Sequence, residues 1–312
     1  MEYQEIAIGV LRRKGLVCLA LRQAHQSFSD CWEFPGGKIE QGESPVEALT
    51  REMQEELGVV VSQWRPLMVI PWQYESVAVR LHVFESEQFQ GEPKGCEGQT
   101  VRWVAVDKLD QRCFPKANKG IVTALQLDNQ YMITGSFSDE QDALRRLERA
   151  FKQGTSLCQL RVKSLSGTAF VQLANQALSL AEQYGAKMLL NGSPALLEAL
   201  PNAAGIQLAS HAMFQYDSRP ISANKLLGVS THNSKEIAQA LKIGADFILL
   251  SPVKRTASHP EMEGIGWAMF AERVADVPIP VFALGGMQAE DLEQAKQSGA
   301  QGVAAISGFW PH

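Results

Sequence analysis

Four charged residues crowd about one and a half turns of a predicted helix: Arg51, Glu52, Glu55 and Glu56. Glu52 and Glu56 share one helix face, and like charges at this spacing cost roughly 0.2–0.5 kcal/mol in an isolated helix. Because Mg2+ prefers carboxylate oxygens and substrate phosphates, a divalent cation would offset this repulsion. Arg51 is expected to pair with Glu55 and to orient the carboxylates. The cluster therefore indicates a metal site, and a solvated acidic face is the alternative.

The limits of this helix are marked by the residues around it. Ser44 is the predicted N-cap, Pro45 suits the first helical position, and Glu47 completes a capping box with Ser44. Gly58 is well placed to end the helix in a left-handed conformation. The sequence thus predicts a helix that begins just before the acidic cluster and ends just after it.

The same segment contains the fixed pattern G-x5-E-x7-R-E-U-x-E-E-x-G-U, in which U is an aliphatic residue. The pattern is filled in order by Gly37, Glu43, Arg51, Glu52, Met53, Glu55, Glu56, Gly58 and Val59. Its fixed identities and spacing are far more specific than a single short glycine motif. This stretch resembles the signature of the Nudix hydrolases. The resemblance implies a metal-dependent diphosphatase that acts on substrates of the nucleoside-diphosphate type.

From residue 3 to about residue 127 the chain is similar to a MutT-type 8-oxo-dGTP diphosphatase. The similarity is carried by the segments Trp32–Glu43, Gly91–Gln99 and Cys113–Val122. By resemblance, Mg2+, with Mn2+ as an alternative metal, is held by the Gly36 carbonyl, Glu52, Glu55, Glu56 and Glu97. Also by resemblance, Arg22, Phe34 and Asn118 contact the nucleotide.

The three nucleotide contacts also have a chemical rationale. The Asn118 amide offers donors and an acceptor to a purine edge, and the Phe34 ring could lie beside the base. Taken alone, each residue has an ordinary alternative: a core position for Phe34, a helix cap for Asn118 and a surface charge for Arg22. Between Gln73 and Arg80 the charged residues of the MutT type are not matched. The sugar and phosphate contacts, and the preference for oxidised guanine, therefore stay open.

The expected reaction is displacement at phosphorus that yields a nucleoside monophosphate and pyrophosphate, as the resemblance implies. Bound Mg2+ neutralises developing charge and helps to ionise the attacking water. Either Glu52 or Glu97 would take the proton of that water, and the sequence does not choose between them. Arg51 and Glu55 complete the predicted catalytic group.

A second pattern begins near Tyr131, where short apolar runs alternate with helical segments. The runs are Tyr131–Thr134, Leu157–Arg161, Lys187–Leu190, Gly205–Leu208, Leu226–Val229, Phe247–Leu250, Val281–Leu284 and Gly302–Ile306. The helical segments are Glu140–Gln153, Ala169–Tyr184, Ser234–Ile243, Ile265–Val274 and Glu290–Ser298. This alternation indicates a small barrel of parallel strands and helices.

Residues 131–312 resemble thiamine-phosphate synthase and its TenI-type relatives, which are thiazole tautomerases. The resemblance rests on Gln159–Lys163, Gly228–His232, Ser251–Thr256, Ala283–Met287 and Gly302–Trp310. The expected site residues are Gln159, Arg161, Lys163, His232, Gly285, Gly286 and Ser307. Arg161 and Lys163, two residues apart on a predicted strand, should point the same way near its C-terminal end, where barrel active sites lie. The glycines and the serine follow the last two strands, where barrels commonly bind phosphate.

Two carboxylates of the synthase family have no counterpart here. Gly192 follows Asn191 where the family has an aspartate, and residues 205–212 contain no acidic residue after the fourth strand. Binding of Mg2+-pyrophosphate by the barrel is therefore not expected. Two interpretations stay open: proton transfer with His232 as acid or base, and a non-catalytic barrel that binds a phosphorylated ligand or supports the other domain.

Composition and net charge narrow the classes of function and partner that remain. The formal net charge of -5 gives no basis for binding nucleic acid or an anionic membrane. The 5 cysteines form no paired motif, and no secretory leader is evident, so a cytoplasmic protein with mostly buried thiols is expected. No apolar run is long enough for a membrane span. The expected partners are a nucleotide and a phosphorylated ligand in the barrel, and the oligomeric state is not predicted.

The sequence therefore predicts two domains. Residues 1–128 form an N-terminal α+β Nudix fold, a mixed sheet flanked by helices, and residues 129–312 form a C-terminal (β/α)8 TIM barrel. The expected function is Mg2+-dependent hydrolysis of 8-oxo-dGTP, which serves nucleotide-pool sanitation and DNA repair, beside a barrel without synthase activity. The alternative is a thiamine-pathway protein whose Nudix site cleaves thiamine-related diphosphates and whose barrel binds or tautomerises thiazole phosphate.

Overall fold

The computed structural model describes residues 3–23, 31–256 and 263–311. The chain divides into two compact units. The first contains the residues up to Gln126 together with Ala275–Ile279, and the second contains Leu127–Val274 and the residues from Pro280 onward. Within the described ranges, no helix is long and apolar enough to cross a membrane.

The first unit contains mostly short strands with two α-helices. Its strands are β1 (Gln4–Arg13), β2 (Leu16–Leu21), β3 (Trp32–Glu33), β4 (Gly36–Lys38), β5 (Val60–Val61), β6 (Arg65–Gln73), β7 (Ala78–Ser86), β8 (Phe89–Gln90) and β9 (Val101–Ala105). Its α-helices are α1 (Pro45–Leu57) and α2 (Lys119–Gln126), and 3-10 helices span Val106–Lys108, Gln111–Cys113 and Lys116–Asn118. Helix α1 lies where the sequence predicts it, whereas β3, β4, β5 and β8 are too short to show a periodicity.

The main sheet of this unit is mixed. Its strand order is β3-β2-β1-β7-β6, with β4 also paired to β1 and β9 to β2. Strands β1 and β7 run parallel, with Ile6 opposite Leu81, and the other pairs in the sheet are antiparallel. The predicted α+β fold with a mixed sheet is confirmed.

Strand β1, at the centre of the sheet, is covered by apolar side chains on both faces. On one face, Ala7 and Leu11 pack with Leu49 and Met53 of α1. On the other face, Ile8, Val10, Val17 and Leu19 pack with Ile121, Val122 and Leu125 of α2. Successive residues of a strand point to opposite faces, so β1 supplies both layers. Helix α1 is thereby fixed on the sheet by its inner face, and its charged face is directed away from the core.

The second unit is a closed parallel barrel. Its strands are β10 (Gln130–Ile133), β11 (Leu157–Leu160), β12 (Lys187–Asn191), β13 (Gly205–Leu208), β14 (Leu226–Thr231), β15 (Phe247–Leu250), β16 (Val281–Leu284) and β17 (Gly302–Ala305). Its α-helices are α3 (Glu140–Lys152), α4 (Gly167–Gln183), α5 (Leu196–Ala199), α6 (Ser234–Lys242), α7 (Gly266–Val274) and α8 (Leu292–Gln297). Strand β17 closes the barrel on β10 through the pairing of Tyr131 with Ala304. The predicted barrel is confirmed.

The helices around the barrel are less regular than the (β/α)8 pattern. Only the short α5 lies between β12 and β13, and a 3-10 helix, Ala212–Gln215, takes the next position. The helix expected over Glu290–Ser298 begins instead as a 3-10 turn, Ala289–Asp291, before α8.

The barrel interior is filled at one level by aromatic rings. Tyr131, Phe247 and Phe282 meet with ring centroids 5.5–5.7 Å apart. The buried Tyr131 hydroxyl donates to Gln207 Oε1 (3.2 Å), and Gln207 Nε2 donates to Ser230 Oγ (3.2 Å). The barrel interior is therefore a packed core, and the hydrogen-bonded side chains of Tyr131, Gln207 and Ser230 form a polar part of it.

The cysteines differ from the expectation of mostly buried thiols. All are free, and Cys18 and Cys158 are buried. Burial raises the pKa of the Cys18 thiol to about 12. Cys31 is half-buried, whereas Cys96 and Cys113 are exposed, because they lie in connecting segments rather than on an inward face.

Candidate functional site

The helix that carries the acidic cluster has the predicted caps. Ser44 Oγ accepts from the Glu47 N–H (3.3 Å), and Glu47 Oε2 accepts from the Ser44 N–H (2.8 Å). Gly58 ends α1 with φ 66°, in the left-handed region. Both predictions are confirmed, so local residues fix the limits of the segment that positions the carboxylates.

Arg51 is the centre of the charged cluster. Its Nε and Nη2 donate to the two oxygens of Glu43, at 2.9 and 3.0 Å. Its Nη1 donates to Glu52 Oε1 (2.8 Å) and to Glu55 Oε2 (3.2 Å). The predicted pairing with Glu55 is confirmed. The bidentate partner is Glu43, which precedes the helix; its place in the fixed pattern was the only sign of this role.

The same guanidinium reaches strand β4, where Nη2 donates to the Lys38 carbonyl (3.2 Å). Its hydrogen bonds, with one from the Glu40 N–H, hold the pKa of Glu43 down at about 2. Arg51 thus ties the loop before α1, the charged face of α1 and strand β4 to one another.

The glycines Gly36 and Gly37 allow the carboxylates to approach β4 closely. A Cβ at Gly37 would lie 2.2–2.6 Å from the carboxylate atoms of Glu52. Gly36 has φ 147°, a Cβ there would lie 2.1 Å from the Ala7 carbonyl oxygen, and its N–H donates to Glu56 Oε2 (3.1 Å). A side chain at either position would therefore displace the site.

The carboxylates of α1 are in an unfavourable environment for negative charge. Burial raises the pKa of Glu56 to about 8; the Gly36 N–H opposes this shift, and Glu33, Glu52 and Glu97 add to it. Burial also raises the pKa of Glu52, against the effect of Arg51. These shifts place Glu52, Glu56 and Glu97 within electrostatic reach of one another, although Glu97 is distant in sequence.

Glu97 reaches the site through the loop after β8. The Cys96 N–H donates to the Glu56 carbonyl (2.9 Å), and the Lys94 N–H donates to the Leu57 carbonyl (3.2 Å). These carbonyls belong to the last turn of α1, which has no helical partner for them. The end of the acidic helix is therefore capped by the loop that carries Glu97.

The donor chemistry of this site fits a hard divalent cation, because carboxylate oxygens predominate. The described residues nevertheless include no group of three or more His, Cys, Asp or Glu side chains already close enough together to hold a metal ion.

Arg22, predicted to contact the nucleotide, has a protein partner. Its Nη1 donates to Glu33 Oε2, and both side chains are largely buried. Burial raises the pKa of Glu33, and Arg22 opposes that shift. Glu33 was not singled out from the sequence. It links Arg22 to the acidic site, because its charge acts on Glu56.

The side chain of Phe34 takes the core position that the sequence left as the alternative to a nucleotide contact. The residue is 1% exposed, and its ring stacks on Phe114 at 5.4 Å in the core between the sheet and α2. Its contact with a nucleotide base stays a prediction.

Asn118 lies at the end of a 3-10 helix just before α2 and is 5% exposed. Its side-chain amide makes no hydrogen bond within the described part of the chain. The Tyr74 hydroxyl is hydrogen-bonded with the backbone of Ala117, the preceding residue. An amide that makes no such bond can take a polar ligand as its partner.

At the barrel, Gln159 is 2% exposed, and its Oε1 has no hydrogen-bond partner in residues 3–23, 31–256 and 263–311. Strand β11 ends at Leu160, so Arg161 and Lys163 lie in the following loop. The expectation that they share a strand face is therefore wrong. Arg161 is half-buried, and Lys163 is exposed.

His232 follows β14, and its Nδ1 lies 2.8 Å from Glu236 Oε2. The same oxygen accepts from the His232 N–H (2.7 Å), so the carboxylate of Glu236 fixes both the backbone and the ring. Ser307 is exposed after β17.

The turn after β16 depends on two glycines. Gly285 has φ 104° and Gly286 has φ 67°. A Cβ at Gly285 would lie 2.8 Å from Pro252 Cα, and one at Gly286 would lie 2.8 Å from the Arg255 carbonyl oxygen. Gly192 follows β12, and a Cβ there would lie 2.8 Å from Leu196 Cδ1, at the end of a flexible side chain.

Comparisons with known proteins agree with the features of the first unit and with those of the barrel. Residues 3–125 match the family model of the NUDIX domain, and residues 130–309 match that of thiamine monophosphate synthase. The chain therefore belongs to both families, one in each unit.

Individual relatives match one unit each. The 8-oxo-dGTP diphosphatase of Escherichia coli (strain K12) is 32% identical over 127 residues, 40% of this chain and 98% of the relative. The 8-oxo-dGTP diphosphatase of Haemophilus influenzae (strain ATCC 51907 / DSM 11121 / KW20 / Rd) is 34% identical over 122 residues, 39% of this chain and 90% of the relative. The thiamine-phosphate synthase of Clostridium novyi (strain NT) is 30% identical over 180 residues, 57% of this chain and 88% of the relative.

The network around Arg51 predicts that Arg51→Lys lowers the melting temperature of the first unit by several degrees. A lysine ammonium cannot form the bidentate contact with Glu43 while also reaching Glu52 and Lys38. Differential scanning calorimetry of the full chain measures this. Arg112→Lys is the matched control, because Arg112 also forms a bidentate pair, with Asp110, but is exposed. Equal melting temperatures for the two variants would contradict the structural role of Arg51.

Proposed function

We propose that the first unit is a divalent-metal-dependent diphosphatase that hydrolyses nucleoside triphosphates, 8-oxo-dGTP in particular. The products are the nucleoside monophosphate and pyrophosphate. The observation that carries this proposal is the carboxylate site itself. Arg51 binds Glu52, the Gly36 N–H binds Glu56, and the loop that carries Glu97 caps the end of the same helix.

Glu52, Glu56 and Glu97 would hold Mg2+, or Mn2+, together with the Gly36 carbonyl and Glu55. When bound, the cation neutralises charge on the phosphate oxygens and lowers the pKa of the attacking water. Glu52 or Glu97 would accept the proton of that water. The contacts favour Glu97, because Glu52 is held by Arg51, whereas the Glu97 carboxylate makes no hydrogen bond or ion pair to the described residues.

Recognition of the base would rest on Asn118. Its amide can donate to and accept from a purine edge, and it makes no hydrogen bond to the described residues. Arg22 would contact the nucleotide from a position fixed by Glu33. Phe34 would contribute by supporting Phe114 and the core beneath the site.

Steady-state kinetics with 8-oxo-dGTP, dGTP and thiamine diphosphate test this assignment. We expect the highest kcat/KM for 8-oxo-dGTP, and a loss of about tenfold to 100-fold for that substrate in Asn118→Ala, since one hydrogen-bonded contact contributes about 1–3 kcal/mol. Asn202→Ala, at an exposed position in the barrel unit, is the control and should leave kcat/KM unchanged.

Efficient cleavage of thiamine diphosphate with weak turnover of both nucleotides would overturn the substrate assignment. It would support the alternative, in which the first unit acts on a thiamine-related diphosphate. Equal kcat/KM values for Asn118→Ala and the unchanged chain would overturn the role of Asn118 alone.

A second candidate function belongs to the barrel, which we propose binds a phosphorylated ligand such as thiazole phosphate without metal. The supporting observation is the glycine turn after β16, whose close contacts exclude side chains, together with the unpartnered Gln159 amide oxygen. Exposed backbone N–H groups at such a turn can bind an anion. His232, with its Nδ1 held by Glu236, would serve proton transfer if the ligand is tautomerised. Without an acidic residue at Gly192 or within residues 205–212, synthase activity is not expected.

Thermal-shift measurements with millimolar thiazole phosphate test the barrel site. We expect the melting transition of the barrel to rise, because a ligand that binds only the folded state stabilises it. Arg161→Ala should remove the shift, whereas Arg145→Ala, at an exposed site on α3, should preserve it. If no thiamine-pathway phosphate changes the melting temperature, the barrel does not bind this class of ligand.

A further inference from the structure

One side chain connects the backbones of two carboxylate residues in the proposed metal site. Gln99 Nε2 donates to the Glu56 carbonyl (3.0 Å), and Gln99 Oε1 accepts from the Glu97 N–H (2.9 Å). Glu56 lies in the last turn of α1, and Glu97 lies in the loop that caps this turn. A single amide thus spans from the helix to the loop.

Glu97 is fixed on its other side as well. Gln23 Nε2 donates to the Glu97 carbonyl (2.8 Å). The main chain of Glu97 is therefore bound at both its N–H and its carbonyl by glutamine side chains. Its carboxylate, in contrast, makes no contact of this kind with the described residues. The backbone is held while the side chain stays available for a ligand.

The packing around Gln99 requires a glycine nearby. A Cβ at Gly95 would lie 1.8 Å from the Gln99 carbonyl oxygen and 3.0 Å from Gln99 Oε1. No side chain can occupy that position without moving Gln99. The nearest of these atoms belongs to the backbone of Gln99, so Gly95 lets the loop pack closely on this residue.

We infer that Gln99 is a positioning residue that sets the placement of Glu97 relative to Glu56 for binding of a divalent cation. This inference rests on the proposed function of the first unit. Both bonds need the primary amide, because glutamate would lose the donor and methionine would lose donor and acceptor. Groups that orient metal ligands in this way contribute to metal affinity although they do not touch the metal.

The matched control is Gln126, which makes a similar bridge elsewhere in the first unit. Its Nε2 donates to the Val106 carbonyl (3.1 Å) and to the Leu109 carbonyl (2.9 Å). It lies at the C-terminal end of α2, and its bonds join that helix to a 3-10 turn. Gln126→Met therefore removes a structural bridge without loosening Glu97.

Binding of Mn2+ alone to the full chain, followed by electron paramagnetic resonance, tests the inference. We expect the Kd of the site to rise about tenfold to 100-fold in Gln99→Met, as for other groups that orient metal ligands. Gln126→Met should leave the Kd unchanged while it lowers the melting temperature. Gln99→Asn, which keeps the amide but is one methylene too short to reach both partners, should also weaken Mn2+ binding, and it decides the matter if Gln99→Met does not fold.

Three outcomes distinguish the positioning role of Gln99 from the proposed metal site itself. Equal Kd values for the unchanged chain and the folded Gln99 variant would overturn the positioning role. A rise in Kd that is the same in Gln126→Met would also overturn it, because the effect would then be a general loss of stability. If Glu56→Gln binds Mn2+ as tightly as the unchanged chain, the proposed metal site itself is wrong, whatever Gln99 does.

Discussion

The contact between Arg51 and the carboxylates is the interaction on which the site of the first unit depends. Glutamates on one and a half turns of a helix repel one another, and burial makes the charged form of Glu52 and Glu56 less favourable. A guanidinium that binds Glu43 through two nitrogens and Glu52 through a third offsets part of that cost. Because it also binds the Lys38 carbonyl, it fixes the helix against β4. The site is thus held in a charged arrangement that favours an added cation.

The remaining contacts that shape the site are made by main-chain atoms and not by further charged side chains. Gly36 and Gly37 let β4 pass close to Glu56 and Glu52, and the loop that carries Glu97 caps the end of α1 through main-chain hydrogen bonds. These contacts satisfy carbonyls that the helix leaves without partners. One helix therefore organises the whole site, since it carries most of the proposed ligands and its C-terminal end receives the loop that carries Glu97.

The sequence predicted most of what is local. The caps of α1 and the contact of Arg51 with Glu55 follow from spacing along one helix, and the barrel follows from alternating apolar runs. What it could not predict depends on the fold. The Arg22–Glu33 pair and the burial of Phe34 against Phe114 are set by tertiary packing, which no periodicity encodes. Arg161 and Lys163 were misjudged because a strand ended one residue earlier than its apolar pattern indicated.

The most direct test of the diphosphatase assignment is 31P NMR of 8-oxo-dGTP hydrolysis by the full chain, with Mg2+ and then with excess chelator. The account predicts that a nucleoside monophosphate and pyrophosphate form only with Mg2+, and that Glu56→Gln forms neither at a comparable rate. Turnover that persists in chelator or in Glu56→Gln, or products that are a nucleoside diphosphate and phosphate, would contradict the account.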